Sequence, residues 1–104
     1  MKLKNKKVII TGGASGMGKA TAELFCREGA TVAIMDINKA EGEKTISQIN
    51  SNNKKAFFFH TDLRKSKEVK KSINQIVDLF GTINILFNHA GTIIVKPLHE
   101  SSEE

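Results

Sequence analysis

Short apolar segments alternate with segments of helical periodicity along most of the chain, and this alternation constrains the fold more than any other feature. Apolar, β-branched runs predict strands, and apolar residues at helical spacing predict helices between them. The predicted strands are Lys7–Thr11, Thr31–Asp36, Ala56–His60 and residues 83–88, and the predicted helices are residues 17–28, Lys39–Asn50 and 69–80. Strands that alternate with helices pair in parallel through right-handed crossovers. The sequence therefore predicts an α/β fold in one domain, residues 1–104, with a doubly wound parallel sheet in the order 3-2-1-4.

Glycine or polar residues follow each predicted strand. The carboxyl ends of parallel strands share one edge of the sheet, and open α/β sheets bind ligands at that edge. The residues concerned are Gly12, Gly16 and Gly18 after the first strand, Asp36 and Asp62 near the ends of the second and third, and Asn88, Ala90 and Gly91 after the fourth. Their convergence predicts a nucleotide-binding site.

The glycines between the first strand and the first helix have the spacing G-x-x-x-G-x-G. Without side chains in the way, backbone N–H groups can approach a pyrophosphate, and the helix dipole directs positive charge towards it. The spacing differs from the G-x-G-x-x-G of the standard dinucleotide motif. A glycine-rich turn without a ligand is therefore the alternative interpretation.

Asp36 ends the second predicted strand, eighteen positions after Gly18. An acid at this place accepts hydrogen bonds from the hydroxyls of the adenosine ribose and repels a 2′-phosphate. Neither Ser15 nor Ile37 supplies a positive charge for such a phosphate, although Lys39 is near. NAD is therefore favoured over NADP, and an N-cap or turn carboxylate is a compatible role for Asp36.

Asp62 and Asn88 each have two interpretations. Asp62 could accept a hydrogen bond from the adenine amino group or start a turn before the third helix. The Asn88 amide could join neighbouring strands, while Ala90 and Gly91 leave space for a ribose of the cofactor. A polar residue at the end of a strand is the simpler interpretation of Asn88.

A second nucleotide-binding motif overlaps the first. Residues 13–19 match G-x-x-x-x-G-K, the start of a P-loop, which would indicate a nucleoside-triphosphate-binding module. Ala20 stands where that motif needs a serine or threonine to hold magnesium. The missing magnesium ligand makes this the less favoured alternative.

Together these motifs resemble the short-chain dehydrogenase/reductase family. The residues that carry the resemblance are Thr11-Gly12-Gly13-Ala14-Ser15-Gly16-Met17-Gly18, Asp36, Asp62-Leu63 and Asn88-His89-Ala90-Gly91. The resemblance implies a Rossmann fold and an oxidoreductase that transfers hydride between NAD(H) and a hydroxyl or carbonyl substrate. It also implies that Ser15 and Met17 belong to the cofactor-binding loop and that Asp62 and Leu63 border the adenine pocket.

Two positions depart from the pattern of the family. His89 replaces the second asparagine of the usual Asn-Asn-Ala-Gly, which predicts weaker support at the centre of the sheet. Arg64 stands where a threonine or serine commonly caps the next helix, so we expect a less well capped helix.

The catalytic part of the family is missing from the chain. Members continue with a serine, a Tyr-x-x-x-Lys pair and a further asparagine, whereas this chain contains no tyrosine. No catalytic residue is therefore assigned, and we expect the chain to bind dinucleotide without turnover. Residues 101–104 match a helix-capping box, which predicts truncation at the C-terminus, although a frayed acidic tail is the alternative. A small-molecule substrate is expected only if a C-terminal part exists.

Composition argues against several other kinds of partner. The formal net charge is +5, but without tryptophan or tyrosine for stacking on bases a nucleic-acid partner is not favoured. The apolar stretches are too short for a membrane span. A single cysteine and the lack of a zinc-ligand spacing predict a cytoplasmic protein without a metal site.

The fourth strand is expected to lie at an edge of the sheet. We expect a loop from Ala90 past Pro97, which would leave the apolar residues 85–87 on an unpaired strand. Unpaired apolar edges pair readily with other chains. The sequence therefore predicts low stability and self-association.

Overall fold

A computed structural model of the chain describes residues 3–12, 16–51, 56–88 and 92–99, the last range as backbone only. All seven predicted elements are present. The strands are β1 (Lys7–Thr11), β2 (Thr31–Asp36), β3 (Ala56–His60), β4 (Thr82–Asn88) and β5 (Thr92–His99), and the helices are α1 (Gly16–Arg27), α2 (Lys39–Asn50) and α3 (Ser66–Phe80).

The sheet has the order β3-β2-β1-β4-β5. β1 lies in the centre and pairs in parallel with β2 and β4, and β2 pairs in parallel with β3. The predicted parallel order 3-2-1-4 and the Rossmann-like α/β fold are therefore confirmed.

Residues of β1 alternate between two hydrophobic layers. Val8 and Ile10 belong to the layer that contains Ala22 of α1 and Ile49 of α2. Ile9 belongs to the opposite layer, whose members include Ile76 of α3. Side chains alternate across a strand, so helices on both faces bury the three apolar residues in the middle of β1. This burial of both faces explains the continuous apolar runs in β1 and β2.

The expected loop after β4 is wrong. β5 pairs with β4 in antiparallel orientation, with Leu86 opposite Ile94 and Phe87 opposite Ile93. The β-branched residues 92–95 favour a strand, and β5 pairs with the β4 edge that we expected to be unpaired. The edge on this side belongs to β5, so the expectation that residues 85–87 lie unpaired is also wrong.

Pro97 lies in an irregular part of the β4–β5 pairing. Ile83 is opposite Leu98 and Ile85 is opposite Val95, so two residues of β5 face the single residue Asn84. A bulge of this kind leaves a residue out of the hydrogen-bonded ladder. Prolines in sheets are confined to edge strands and bulges, and this position provides both.

The phenylalanines of β3 are less buried than predicted. Phe58 and Phe59 pack against opposite hydrophobic layers. Phe57 is 37% exposed, and its ring contacts that of Phe80 edge to face at a centroid distance of 5.7 Å. β3 is an edge strand with a neighbour on one side only, so full burial of all three rings is wrong.

Helix α2 approaches β3 very closely. A Cβ atom added at Gly42 would clash with the ring of Phe58. Gly42 is buried within α2, where glycine otherwise lowers helix stability. Its presence therefore follows from this close approach.

Candidate functional site

The carboxyl ends of the parallel strands meet at one edge of the sheet. Thr11 and Asn88 are register partners, and Thr11 Oγ1 donates a hydrogen bond to Asn88 Oδ1 at 3.2 Å. The predicted tie between strands through the Asn88 amide is confirmed. Asp36 lies opposite His60 at the ends of β2 and β3.

The glycine turn after β1 leads directly into α1. Gly12 has φ 75° and its N–H donates to the carbonyl of Met35 at 2.7 Å, which turns the chain at the end of β1. Gly16 has φ 61°, and an added Cβ atom would meet nothing within 4 Å, so its backbone conformation rather than crowding favours glycine there. Gly18 is buried in the first turn of α1, whereas Met17 is 67% exposed.

The first turn of α1 contains no acidic residue. The positive end of its dipole is therefore not compensated by a carboxylate of that turn. Ser15, Ala90 and Gly91 of the predicted site lie outside the described residues.

Asp36 forms a turn at the start of the β2–α2 connection. Its Oδ1 accepts a hydrogen bond from the N–H of Asn38 at 3.0 Å. The N-cap of α2 is Asn38, whose Oδ1 accepts from the N–H of Glu41 at 3.0 Å. Of the two structural roles considered for Asp36, the turn carboxylate is confirmed and the N-cap belongs to Asn38.

Asp62 forms the same turn at the start of the β3–α3 connection. Its Oδ1 accepts a hydrogen bond from the N–H of Arg64 at 3.0 Å. The Arg64 guanidinium adds two hydrogen bonds of 3.0 Å, from Nε to Oδ1 and from Nη2 to Oδ2. The turn interpretation of Asp62 is confirmed.

The ion pair between Asp62 and Arg64 changes the ionisation of both groups. The side-chain hydrogen bonds from Arg64, followed by the hydrogen bond from its backbone N–H, lower the pKa of Asp62 to about 2. The same side-chain hydrogen bonds raise the pKa of Arg64. The Asp62 side chain is 11% exposed and that of Arg64 is 82% exposed, so a shielded carboxylate holds a cation at the surface.

The start of α3 lacks a side-chain cap. Its N-cap residue is Lys65, which makes no capping hydrogen bond through its side chain. Arg64 turns back to Asp62 instead of capping the helix, so the predicted weak capping is confirmed.

The two connections border a cleft of about 380 Å³. The residues lining it are Asp36, Ile37, Asp62, Leu63 and Arg64. Ile37 is 52% exposed and Leu63 is 40% exposed, which gives the cleft apolar side chains between its charged groups. Ile37 and Arg64 line the cleft although neither was predicted to do so. In the sequence, the signal for them is that Ile37 directly follows Asp36 and Arg64 stands two residues after Asp62.

The described residues contain neither a metal cluster nor a spanning helix. Within residues 3–12, 16–51 and 56–88, no three His, Cys, Asp or Glu side chains come together in a group that could hold a metal ion. None of the described helices combines the length and the apolar character needed to cross a membrane.

Comparison with known sequences identifies relatives over most of the chain. The family described as short chain dehydrogenase matches residues 6–104. An uncharacterized oxidoreductase of Bacillus subtilis (strain 168) is 50% identical over 90 residues, which cover 86% of this chain and 33% of that protein. A cyclopentanol dehydrogenase of Comamonas sp. (strain NCIMB 9872) is 33% identical over 103 residues, which cover 99% of this chain and 41% of that protein. The chain thus spans between 33% and 41% of the length of these two relatives.

Solved structures show the same fold. An NAD⁺-bound xylitol dehydrogenase matches with a TM-score of 0.80 and 27% identity over 83% of this chain and 33% of that one. A short-chain dehydrogenase/reductase from Serratia marcescens BCRC 10948 matches with a TM-score of 0.82 and 26% identity over 86% of this chain and 37% of that one. These matches do not favour the nucleoside-triphosphate alternative. The chain belongs to the short-chain dehydrogenase/reductase family.

Proposed function

We propose that this chain is the NAD(H)-binding portion of an oxidoreductase that transfers hydride between NAD(H) and a hydroxyl or carbonyl substrate. The observation that carries the proposal is the cleft between the Asp36 and Asp62 turns, at the same sheet edge as the glycine turn of β1. The NAD⁺ bound to a xylitol dehydrogenase of this fold supports the proposal.

The glycine turn would hold the pyrophosphate. Gly12 and Gly16 both have positive φ values, and α1 begins at Gly16. A helix N-terminus presents backbone N–H groups to an anion, and its dipole favours negative charge. We assign Gly12, Ser15, Gly16, Met17 and Gly18 to this part of the site.

Asp36 would select NAD over NADP. The hydrogen bond from Asn38 fixes its carboxylate beside the cleft, where it can accept hydrogen bonds from two ribose hydroxyls. A 2′-phosphate at that place would meet a carboxylate of the same charge.

The rest of the cofactor would lie on either side of this ribose. We assign the adenine to the cleft bordered by Asp62 and Leu63. Asn88 ends the neighbouring strand β4, Ala90 and Gly91 come next in the sequence, and all three would border the cofactor beyond the pyrophosphate.

The chemistry of the reaction would come from the bound dinucleotide, which supplies or accepts a hydride. The chain contributes binding and orientation through the residues named above. Reduction of a carbonyl also needs an acid near the oxygen, which in this family is a tyrosine, and the chain contains none. Dinucleotide binding is therefore the property to measure on these 104 residues.

A fluorescence titration with NADH tests the proposal. We expect saturable binding, and we expect Asp36→Ala to weaken it roughly 10- to 100-fold through the loss of hydrogen bonds to a charged acceptor. The matched control is Asp78→Ala, because Asp78 is an exposed acid of α3 outside the cleft. The proposal fails if the folded chain does not bind NADH.

A further inference from the structure

We propose that Arg64 is a further cofactor-binding residue: its guanidinium plane forms a wall of the cleft and stacks on the adenine ring of the dinucleotide. The inference depends on the proposed function, because it concerns the base of the same cofactor. It adds a contact to the cofactor from a residue that the sequence analysis connected only with helix capping.

The first supporting observation is the fixed position of an exposed side chain. Arg64 is 82% exposed, and a long charged side chain at a surface ordinarily loses entropy when it is held in one geometry. Here two guanidinium hydrogen bonds of 3.0 Å attach it to Asp62, and the backbone N–H of Arg64 adds a third bond to the same carboxylate. A two-point attachment of this kind fixes the orientation of the guanidinium plane as well as its location.

The second observation is the chemistry of the surrounding surface. Arg64 and its partner Asp62 both line the cleft, together with the exposed apolar side chains of Ile37 and Leu63. Exposed aliphatic groups beside a fixed guanidinium plane suit a flat aromatic ring, because arginine stacks on aromatic faces and the aliphatic groups lose contact with water.

The charge balance favours stacking over phosphate binding. Asp62 is ionised and compensates the charge of Arg64 through a two-point hydrogen-bonded pair. The cleft also contains the carboxylate of Asp36, so a phosphate placed there would meet an anion and a cation whose charge is already paired. A neutral aromatic base meets neither obstacle.

The test compares ligands and variants by the fluorescence of NADH and NADPH, with ADP-ribose measured by its displacement of NADH. Arg64→Ala should weaken NADH, NADPH and ADP-ribose by the same factor, roughly 2- to 30-fold, because all three carry adenine and a cation–π contact has that range. Arg64→Lys should restore only part of the lost affinity, because lysine keeps a cation that can lie over a ring but loses the plane that stacks on it. The matched control is Lys65→Ala, which removes the adjacent cation outside the cleft and should leave all three affinities unchanged.

Four results would overturn the inference, and each is distinct. A larger loss for NADPH than for NADH would assign Arg64 to the 2′-phosphate. Full affinity in Arg64→Lys would mean that Arg64 only braces the turn through its charge. Unchanged affinity in Arg64→Ala, with weakened binding in Asp36→Ala, would reject this inference and leave the proposed function standing. Absence of NADH binding by the unaltered folded chain would reject both.

Discussion

The β2–α2 and β3–α3 connections begin with the same turn but continue differently. In each, an aspartate Oδ1 accepts from the N–H of the residue two positions later at 3.0 Å, and the residue between them is apolar and exposed. In the first connection the third residue, Asn38, caps α2. In the second the third residue, Arg64, returns to its aspartate and leaves α3 without a side-chain cap.

This difference shows that one residue of a shared turn decides how the carboxylate is used. In the Asp62 turn the third residue is Arg64, whose guanidinium pairs with the Asp62 carboxylate. In the Asp36 turn the third residue is Asn38, whose side chain is a neutral amide. The two turns border one cleft, with the Asp36 carboxylate at one connection and the Asp62–Arg64 ion pair at the other. We expect the Asp36 connection to recognise hydroxyl groups and the Asp62–Arg64 connection to recognise a base.

The largest expected effect comes from neutralising each aspartate separately. Asp36→Asn keeps an oxygen for the Asn38 N–H but removes the charge, so NADH should lose its advantage over NADPH by roughly 10- to 100-fold. Asp62→Asn should leave the ratio of the two affinities unchanged. Parallel titrations with both cofactors check this, and equal changes in the two variants would contradict the contrast between the turns.

A smaller effect is expected from removing the residue at each N-cap. Asn38→Ala should lower the free energy of unfolding by about 1 kcal/mol, because the N–H of Glu41 loses its acceptor. Lys65→Ala should change it little, because Lys65 makes no capping hydrogen bond. Urea denaturation measures the free energy of unfolding of both variants. Equal losses would mean that the side chain of Asn38 stabilises α2 no more than that of Lys65 stabilises α3.

Adding a side-chain cap to α3 should reduce the difference in helix capping between the two connections. Lys65→Ser supplies a capping oxygen at the start of α3 and should stabilise the chain by about 0.5 to 1 kcal/mol. The control is Lys67→Ser, an exposed position inside α3, where serine is a weaker helix former than lysine. A gain at both positions would mean that the loss of a lysine charge, and not capping, causes the effect.

The smallest expected effect is a loss of stability in acid that comes from Asp62 in the second turn. The folded pKa of Asp62 is lowered to about 2, so its contribution is present above the unfolded value of about 3.9 and is lost as the pH falls towards 2. Asp62→Asn should therefore lose less stability than the unaltered chain between pH 4 and pH 2. Urea denaturation at these two pH values tests this, and an equal loss in Asp62→Asn and in the unaltered chain would contradict it.

The sequence predicted the interior of the sheet well because burial on both faces produces continuous apolar runs. The runs in β1 and β2 match fully covered strands, and their residues are buried as expected. The runs in β3 and β5 were misjudged for a different reason. The burial of Phe57 depends on β3 being an edge strand, and the strand character of β5 depends on a bulge that accommodates Pro97, so neither is determined by local composition.

For the candidate site, the sequence predicted where several polar residues lie, while their cofactor-binding roles stay predictions. Asp36, Asp62 and Asn88 were recognisable because each is a polar residue close to the carboxyl end of a strand. The contributions of Ile37 and Arg64 arise only when two connections from different parts of the chain lie side by side. Sequence spacing identifies single polar residues near the ends of strands. Residues that together line a cleft are identified only from the tertiary structure.

The central place of β1 also has a consequence for the order of folding. Val8 pairs with Val32, 24 residues later, and with Ile85, 77 residues later. Closing the longer loop costs about 1 kcal/mol more in chain entropy, unless the intervening segments have already become compact. We therefore expect the β1–β2–β3 unit to assemble first and to serve as the template on which β4 docks, with β5 following by its short antiparallel pairing.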